Sequence, residues 1–443
     1  MLCDASFFGA TFSTVTSTSP SLNEYLPQVT ANLSVSGSPR SVAYDNLNGK
    51  VYVADWGYPG NVGVVSNTTM VATVAVNGSP STVTYDSQDG AIYEANWACS
   101  DGGTSNSSSG CSSNGSVDEL SGTSVKATFP VGSAPSQIVF SPSDGLIYVA
   151  DENSSSVTVI SGGSIVTAIG LPGAPRSMLF DPDTGSVYVG GHSWVGIITG
   201  TNLTATAAID GRATGMTYDP INKEVYLGVV NTTLPCFGGE VDILVGISIE
   251  TSLPADCPDA LSFDPMNGLI YVTEASFDPV GTGPGEVLVV NNTSEISNIS
   301  VGYNPDSVVT DGAGLAFVAN YGPVTFPGQG NLTVINGTEV LETLNVGIGP
   351  LAECYDPTNG NVYVANGQSS VSVVSTRPLP STSGGGGKRL PGGPEYERYL
   401  LFAMIAGLVV LALALLWRRS RRIPPAPNLE NRTEGRIVGV FEP

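Results

Sequence analysis

Eight copies of one short pattern decide what this chain can fold into. In residues 350–375, PLAECYDPTNGNVYVANGQSSVSVVS, an alternating run ends at Tyr355, a DPTNG turn follows, and NVYVAN and SVSVVS resume the alternation. Period-two alternation interrupted by an Asp-Pro…Gly turn predicts an antiparallel meander. Pro357 fixes its own φ, and Gly360 takes a conformation that side chains resist. The same pattern stands at 41–55, 82–96, 137–151, 177–191, 215–229, 260–274 and 307–320. A spacing of roughly 40–45 residues suits a four-stranded propeller blade, which buries its faces only against copies of itself.

The second strand of the unit is its most regular part: YVAD at 52–55 and 148–151, YVTE at 271–274, FVAN at 317–320 and YVAN at 363–366. These copies resemble the YVTN family of β-propeller repeats, found in surface-layer and other envelope proteins of archaea and bacteria. YVGG at 188–191 and YLGV at 226–229 depart from the pattern without breaking its register. The resemblance covers roughly residues 30–375. It implies the fold and a cell-surface setting, and says little of activity, because propellers host many unrelated functions.

Most units run on into a fourth strand, such as VATVAV (71–76), SIVTAIG (164–170), EISNISV (295–301) and EVLETLNV (339–346). The eighth has none, since TRPLPSTSGGGG follows VSVVS, but a spare strand, QVTANLSV (28–35), precedes the first unit. The expectation is an all-β, eight-bladed β-propeller closed by this N-terminal strand. A seven-bladed ring is the alternative, with one unit docked outside it. The domains expected are an N-terminal segment (1–20), a propeller ectodomain (21–377), a Pro/Gly linker (378–398), one transmembrane helix (399–417) and a cytoplasmic tail (418–443).

The membrane assignment rests on YLLFAMIAGLVVLALALLW at 399–417, uncharged, bracketed by aromatic residues and long enough to span a bilayer. Arg418, Arg419, Arg421 and Arg422 follow at once, so the positive-inside rule puts the C-terminus in the cytoplasm and the propeller outside. Residues 1–20 lack the basic and apolar regions of a signal peptide, and read as the end of a leader or as a flexible extension.

A net charge of −23 repels phosphate backbones and argues against nucleic-acid partners. Asn-x-Ser/Thr sequons at Asn32, Asn67, Asn106, Asn114, Asn153, Asn202, Asn231, Asn292, Asn298, Asn331 and Asn336 fit an extracellular, glycosylated surface. Cys99 and Cys111 bracket a Gly/Ser-rich insertion, while Cys236 and Cys257 fall in two loop classes that emerge on one face. Both pairs are expected as disulfides. Cys354 alternates into a first strand and reads as a buried thiol.

Loops after strands two and four share one face, here called the top; the DPxNG turns form the bottom. Length variation is concentrated on top, at 97–116, 230–240, 276–286 and 321–330, where recognition loops are usually carried. Trp56, Tyr58, Trp97, Trp194, Phe277 and Tyr321 are placed there as ligand-binding aromatics, able to stack on a sugar or anchor a protein. Residues that end strand two, among them Asp55, Asp151 and Glu274, form a second set whose oxygens suit calcium, the one cofactor considered. Local Asx turns are the competing reading for that set.

No catalytic residue is assigned. His192 is the only histidine, without a G-x-S-x-G elbow beside it, and no phosphate-binding glycine loop occurs. The functional expectation is a membrane-anchored recognition, adhesion or envelope-scaffold module whose partner is an envelope protein or glycan. An extracellular hydrolase or lyase using top-face carboxylates, with or without calcium, is the alternative.

Overall fold

A computed structural model describes residues 26–98, 114–231, 238–275, 283–323 and 330–376. The N-terminal segment, the linker, the 399–417 span and the tail lie outside them, as do Cys99, Cys111, Asn106, Cys236 and Phe277. Among the described residues no helix is long and apolar enough to cross a membrane.

The chain folds into eight four-stranded antiparallel sheets, an eight-bladed β-propeller. Seven blades take their strands in chain order, beginning with Ser38–Asp45, Lys50–Trp56, Asn61–Ser66 and Thr69–Ala75. The eighth combines Pro350–Asp356, Asn361–Asn366 and Ser370–Ser375 with Gln28–Ser34, which pairs antiparallel along Ser370–Ser375. That outer strand comes from the opposite end of the chain.

Burial follows position in the blade. First strands contact the first strands of both neighbours and are covered on both sides; every residue of Ser79–Tyr85 is buried. Outer strands such as Ser294–Ser300 have one face in water, so polar residues alternate with half-buried ones. The core is therefore eight inter-blade layers. Between blades eight and one, Val42, Tyr44, Val51 and Val53 pack on Cys354, Tyr363, Ala365 and Val371, with Ala31 and Leu33 of the N-terminal strand at the margin. That seam is as apolar as the other seven.

The bottom turns explain the most repetitive part of the sequence. The Asp219 carboxylate accepts from the backbone N–H of Ile221 (2.7 Å) and Asn222 (3.3 Å), an Asx turn, and Asp45, Asp86, Asp181, Asp264 and Asp356 likewise accept from the N–H two residues on. Gly360, at φ +73°, closes its turn by donating to the Asp356 carbonyl. The turn asparagines reach up to the signature tyrosines: Asn48 donates to the Tyr52 hydroxyl at 3.2 Å, as Asn267 does to Tyr271. The tyrosines also tie blades together. The Tyr148, Tyr188, Tyr226 and Tyr271 hydroxyls donate to the carbonyls of Gly200, Gly246, Asn292 and Gly337, each in the next blade. The Y of the repeat is thus a core filler with a polar tip that fixes blade spacing.

Candidate functional site

The predicted top-face aromatics separate into two groups. Trp56 and Trp97, on blades one and two, meet edge to face with centroids 5.4 Å apart and planes at 75°. The Arg40 guanidinium lies 4.4 Å from the centre of the Trp56 ring, a cation–π contact. Trp97 is oriented by its indole N–H, which donates to the Pro135 carbonyl at 2.8 Å. Tyr58 and Tyr321 are exposed, and Tyr321 lies against Gly349 of blade eight. Trp194 is different. It is buried with Tyr148, Val157 and Ile198 between blades three and four, so its place on the binding surface is corrected to a core position. Gly191 leaves room for the ring, because a Cβ there would come within 2.3 Å of it.

The three candidate strand-end carboxylates each accept hydrogen bonds from their own blade. Asp55 accepts from the backbone N–H of Ser36 (3.1 Å) and Gly37 (2.8 Å) and from the Ser36 hydroxyl (3.0 Å). Asp151 accepts from Thr158 (2.6 Å), and Glu274 from the Asp256 N–H (2.7 Å) and the Asn298 amide (3.3 Å). These groups latch each blade's entry loop to the end of its second strand. The fit is close: a Cβ on Gly132, Gly302 or Gly347 would sit 2.5–2.6 Å from Asp151, Asn320 or Asn366. Burial pushes the Asp151 carboxyl up to about 6 and that of Glu274 to about 7. The three candidate metal ligands are not brought together, and no group of three or more metal-ligating side chains forms among the described residues.

What gathers on the top face is a set the sequence reading did not single out. In blades one, two, three, seven and eight the pairing register slips just after the strand-opening proline, between Pro39 and Ser41 in the first of them. A β-bulge leaves the skipped residue without a cross-strand partner and re-aims its side chain. Blade six slips across Asp259 and Ala260, and blade five across Thr214 and Gly215. The equivalent column reads Arg40, Ser81, Ser136, Arg176, Thr214, Asp259, Asp306 and Leu351 from blade one to blade eight. All but Ser81 line one cavity of about 380 Å³ at the top of the axial channel, and Arg212 and Glu152 join them. Ser81 is buried instead, donating to the Ala95 and Pro135 carbonyls.

The cavity wall is segregated by charge. Arg176 and Arg212 stand on adjacent blades four and five, and Asp259 and Asp306 on blades six and seven. Arg176 is paired with Glu152 at 2.9 Å, whereas Arg212, Asp259 and Asp306 have no ion pair among the described residues. Enclosure and the neighbouring Asp259 push the Asp306 carboxyl up to about 7. Arg40, partly desolvated, links this cavity to the Trp56–Trp97 rim. The signal was available in principle: the residue after G-x-P varies in charge while the pattern around it does not.

Of the cysteines, Cys257 and Cys354 are both disulfide-bonded, which corrects the reading of Cys354 as a thiol. Among the predicted glycosylation sites, Asn67, Asn114, Asn153, Asn202, Asn231, Asn292, Asn298 and Asn336 are exposed. Asn32 is exposed but accepts from Ser372, and Asn331 is half-buried and accepts from Asn320 at 2.7 Å.

No protein-family model matches the chain, and no curated protein does, so the YVTN likeness stays a resemblance. Solved structures do match. One described as the Dos1 propeller superposes with a TM-score of 0.59 at 10% identity, over 79% of this chain and 96% of that one. A hydrazine synthase from Kuenenia stuttgartiensis superposes at 0.50 and 13% identity, over 77% of this chain and 96% of that one. At such identities the likeness is one of fold, and the chain is similar to these proteins as a β-propeller.

Proposed function

We propose that this chain is a membrane-anchored, cell-surface recognition module that binds an envelope protein or glycan through its top face. The observation carrying this reading is the edge-to-face Trp56–Trp97 pair capped by Arg40, at the rim of a charged axial cavity. Flat aromatic surface beside fixed polar groups suits both sugar faces and protein anchors. In this reading 399–417 crosses the membrane, 418–443 is cytoplasmic, and the exposed sequons carry glycans. Cys99–Cys111 and Cys236–Cys257 are the proposed disulfides that staple the long top loops. Gln28–Ser34 serves as the closure that holds the ring together.

The alternative hydrolase or lyase gains little from the strand-end carboxylates, each of which is held by hydrogen bonds from its own blade. The test is crosslinking capture of the full-length protein against envelope of its source cell, with and without chelator. One dominant partner, lost on Trp56→Ala with Trp97→Ala in a protein that still melts cooperatively, supports recognition through the rim. Capture unchanged by the double variant removes the rim from the interface. A chelator-sensitive turnover activity without a partner would favour the enzyme.

A further inference from the structure

We infer that the axial cavity is a binding site for a small zwitterion, a molecule carrying one carboxylate and one ammonium group. The inference stands apart from the macromolecular rim, because it concerns only the enclosed channel mouth. All three arginines between residues 26 and 376 line this one cavity, in a chain of net charge −23. A solubilising charge pattern has no reason to collect its few guanidinium groups there. The repeat also has no structural need for charge in this column: blades two, three, five and eight fill it with Ser81, Ser136, Thr214 and Leu351.

Arrangement decides the ligand class. A purely cationic wall would select anions, and a purely acidic one cations. Here Arg176 and Arg212 are neighbours, and Asp259 and Asp306 are neighbours on the next two blades. Arg212 lies close enough to affect Asp259, and Asp259 and Arg40 close enough to affect Asp306, yet none of these groups forms an ion pair within 4.0 Å among the described residues. Opposite charges held in one cavity but apart leave a place between them that an ion pair of matching polarity fills. The carboxylate of the ligand meets the Arg212 guanidinium, with Arg176 beside it, in the planar geometry that arginine offers carboxylates. The ammonium meets Asp259 and Asp306. Ala260, Leu261, Val308 and Leu351 supply the apolar wall for the carbon skeleton. At about 380 Å³ the cavity lies at the small end of ligand pockets, the size for a compact molecule rather than a polymer.

The experiment is calorimetric titration of the full-length protein with glycine, 4-aminobutanoate and 6-aminohexanoate, zwitterions of increasing charge separation. Succinate and 1,4-diaminobutane are the single-sign controls, at the same ionic strength. Saturable binding of at least one zwitterion is expected, at least tenfold tighter than either control. Arg212→Gln and Asp306→Asn should each weaken it tenfold or more, with melting temperatures unchanged. Leu351→Trp, which fills the cavity without touching its charges, should abolish binding and serves where a charge variant fails to fold. No saturable binding of any zwitterion overturns the inference. Equal binding of a single-sign control, or binding indifferent to Leu351→Trp, overturns it as well.

Discussion

At the bottom of the ring Asp45, Asp219, Asp264 and Asp356 each end a first strand, and each folds the same Asx turn, its carboxylate accepting from the backbone N–H two residues on. At the top of the same strands the equivalent column holds Arg40, Ser81, Ser136, Arg176, Thr214, Asp259, Asp306 and Leu351. The two ends share a scaffold and an eightfold rhythm. The bottom column satisfies backbone groups, a demand identical in every blade, so aspartate answers it in seven blades, with Ser141 the exception in blade three. In every blade but the fourth the top column sits on a bulge that frees it from pairing, and all of it but Ser81 lines the channel. Nothing local fixes its chemistry there, so the blades differ. A column that departs from the repeat without disturbing it is where function can be written into such a fold.

The largest test asks whether eight blades are equivalent in stability as well as in shape. Removing residues 26–35 strips the outer strand from blade eight, bares one side of Val371 and Val373, and leaves Ser370–Ser375 as an open edge. At ~25 cal/mol per Å² of apolar surface, the loss is on the order of several kcal/mol. Chemical denaturation should show a lowered midpoint and a dimer- or aggregate-prone protein. An unchanged midpoint would mean that blade eight holds without its foreign strand.

A second test uses a break inside the wall. Three residues after the opening proline, or Ala213 in its place in blade five, seven blades carry Val42, Val83, Ile138, Met178, Met216, Leu261 or Val308, and blade eight carries Glu353. Neither of its carboxyl oxygens has a hydrogen bond of normal geometry, although Ser307 and the Ala319 backbone lie close. Burial, tempered by those two, pushes the group up to about 8. The folded state therefore binds this proton more tightly than the unfolded chain, where a glutamate titrates near ~4.3. Its contribution is harmless below that value, turns unfavourable as pH rises toward about 8, and is then constant. Glu353→Gln should match the parent near pH 4 and exceed it near pH 8, by something on the order of a few kcal/mol. Parallel pH profiles for the two proteins would mean that the carboxyl is hydrated.

A third variant, Asp219→Ala, addresses the bottom column directly. It deletes the acceptor of the Ile221 and Asn222 N–H groups and of the Asn222 amide at 2.8 Å. Bonds to a charged group make the expected cost roughly 1–3 kcal/mol, read as a lower denaturation midpoint at neutral pH. An effect within error would show that water replaces the carboxylate and that the turn forms without it.

How far the sequence could be read follows the same division. Alternation, Asp-Pro…Gly turns and the YVAD-like strand carry the fold because each is a local response to a local demand, and eight repetitions average out the departures. Trp194 was misplaced because sequence position fixes which loop a ring begins in, and Gly191 behind it lets the ring fold inward. Asp55 and Glu274 looked like members of a ligand circle because their donors come from entry loops 18 or more residues away in sequence, as Ser36–Gly37 does for Asp55. The axial charges were missed for a different reason. A one-residue bulge is invisible to period-two reading, and without it Arg40 and Asp306 fall on an ordinary strand face.

The smallest expected effect on stability is the most telling for the comparison. If the channel charges are free of structural duty, then Arg212→Ala, beside the top column, and Asp259→Ala, within it, should each leave the denaturation midpoint within ~0.5 kcal/mol of the parent, as exposed positions do. Both side chains are exposed to the channel and neither is in an ion pair among the described residues, so no partner is orphaned by its removal. The Arg212 backbone keeps its pairing with Val230, which the substitution does not touch. A destabilisation like that of Asp219→Ala would place the channel charges in the architecture, and the contrast between the two ends of the strand would collapse. A gain in stability would sharpen it, since like-charged neighbours such as Asp259 and Asp306 repel in the folded ring and not in the unfolded chain.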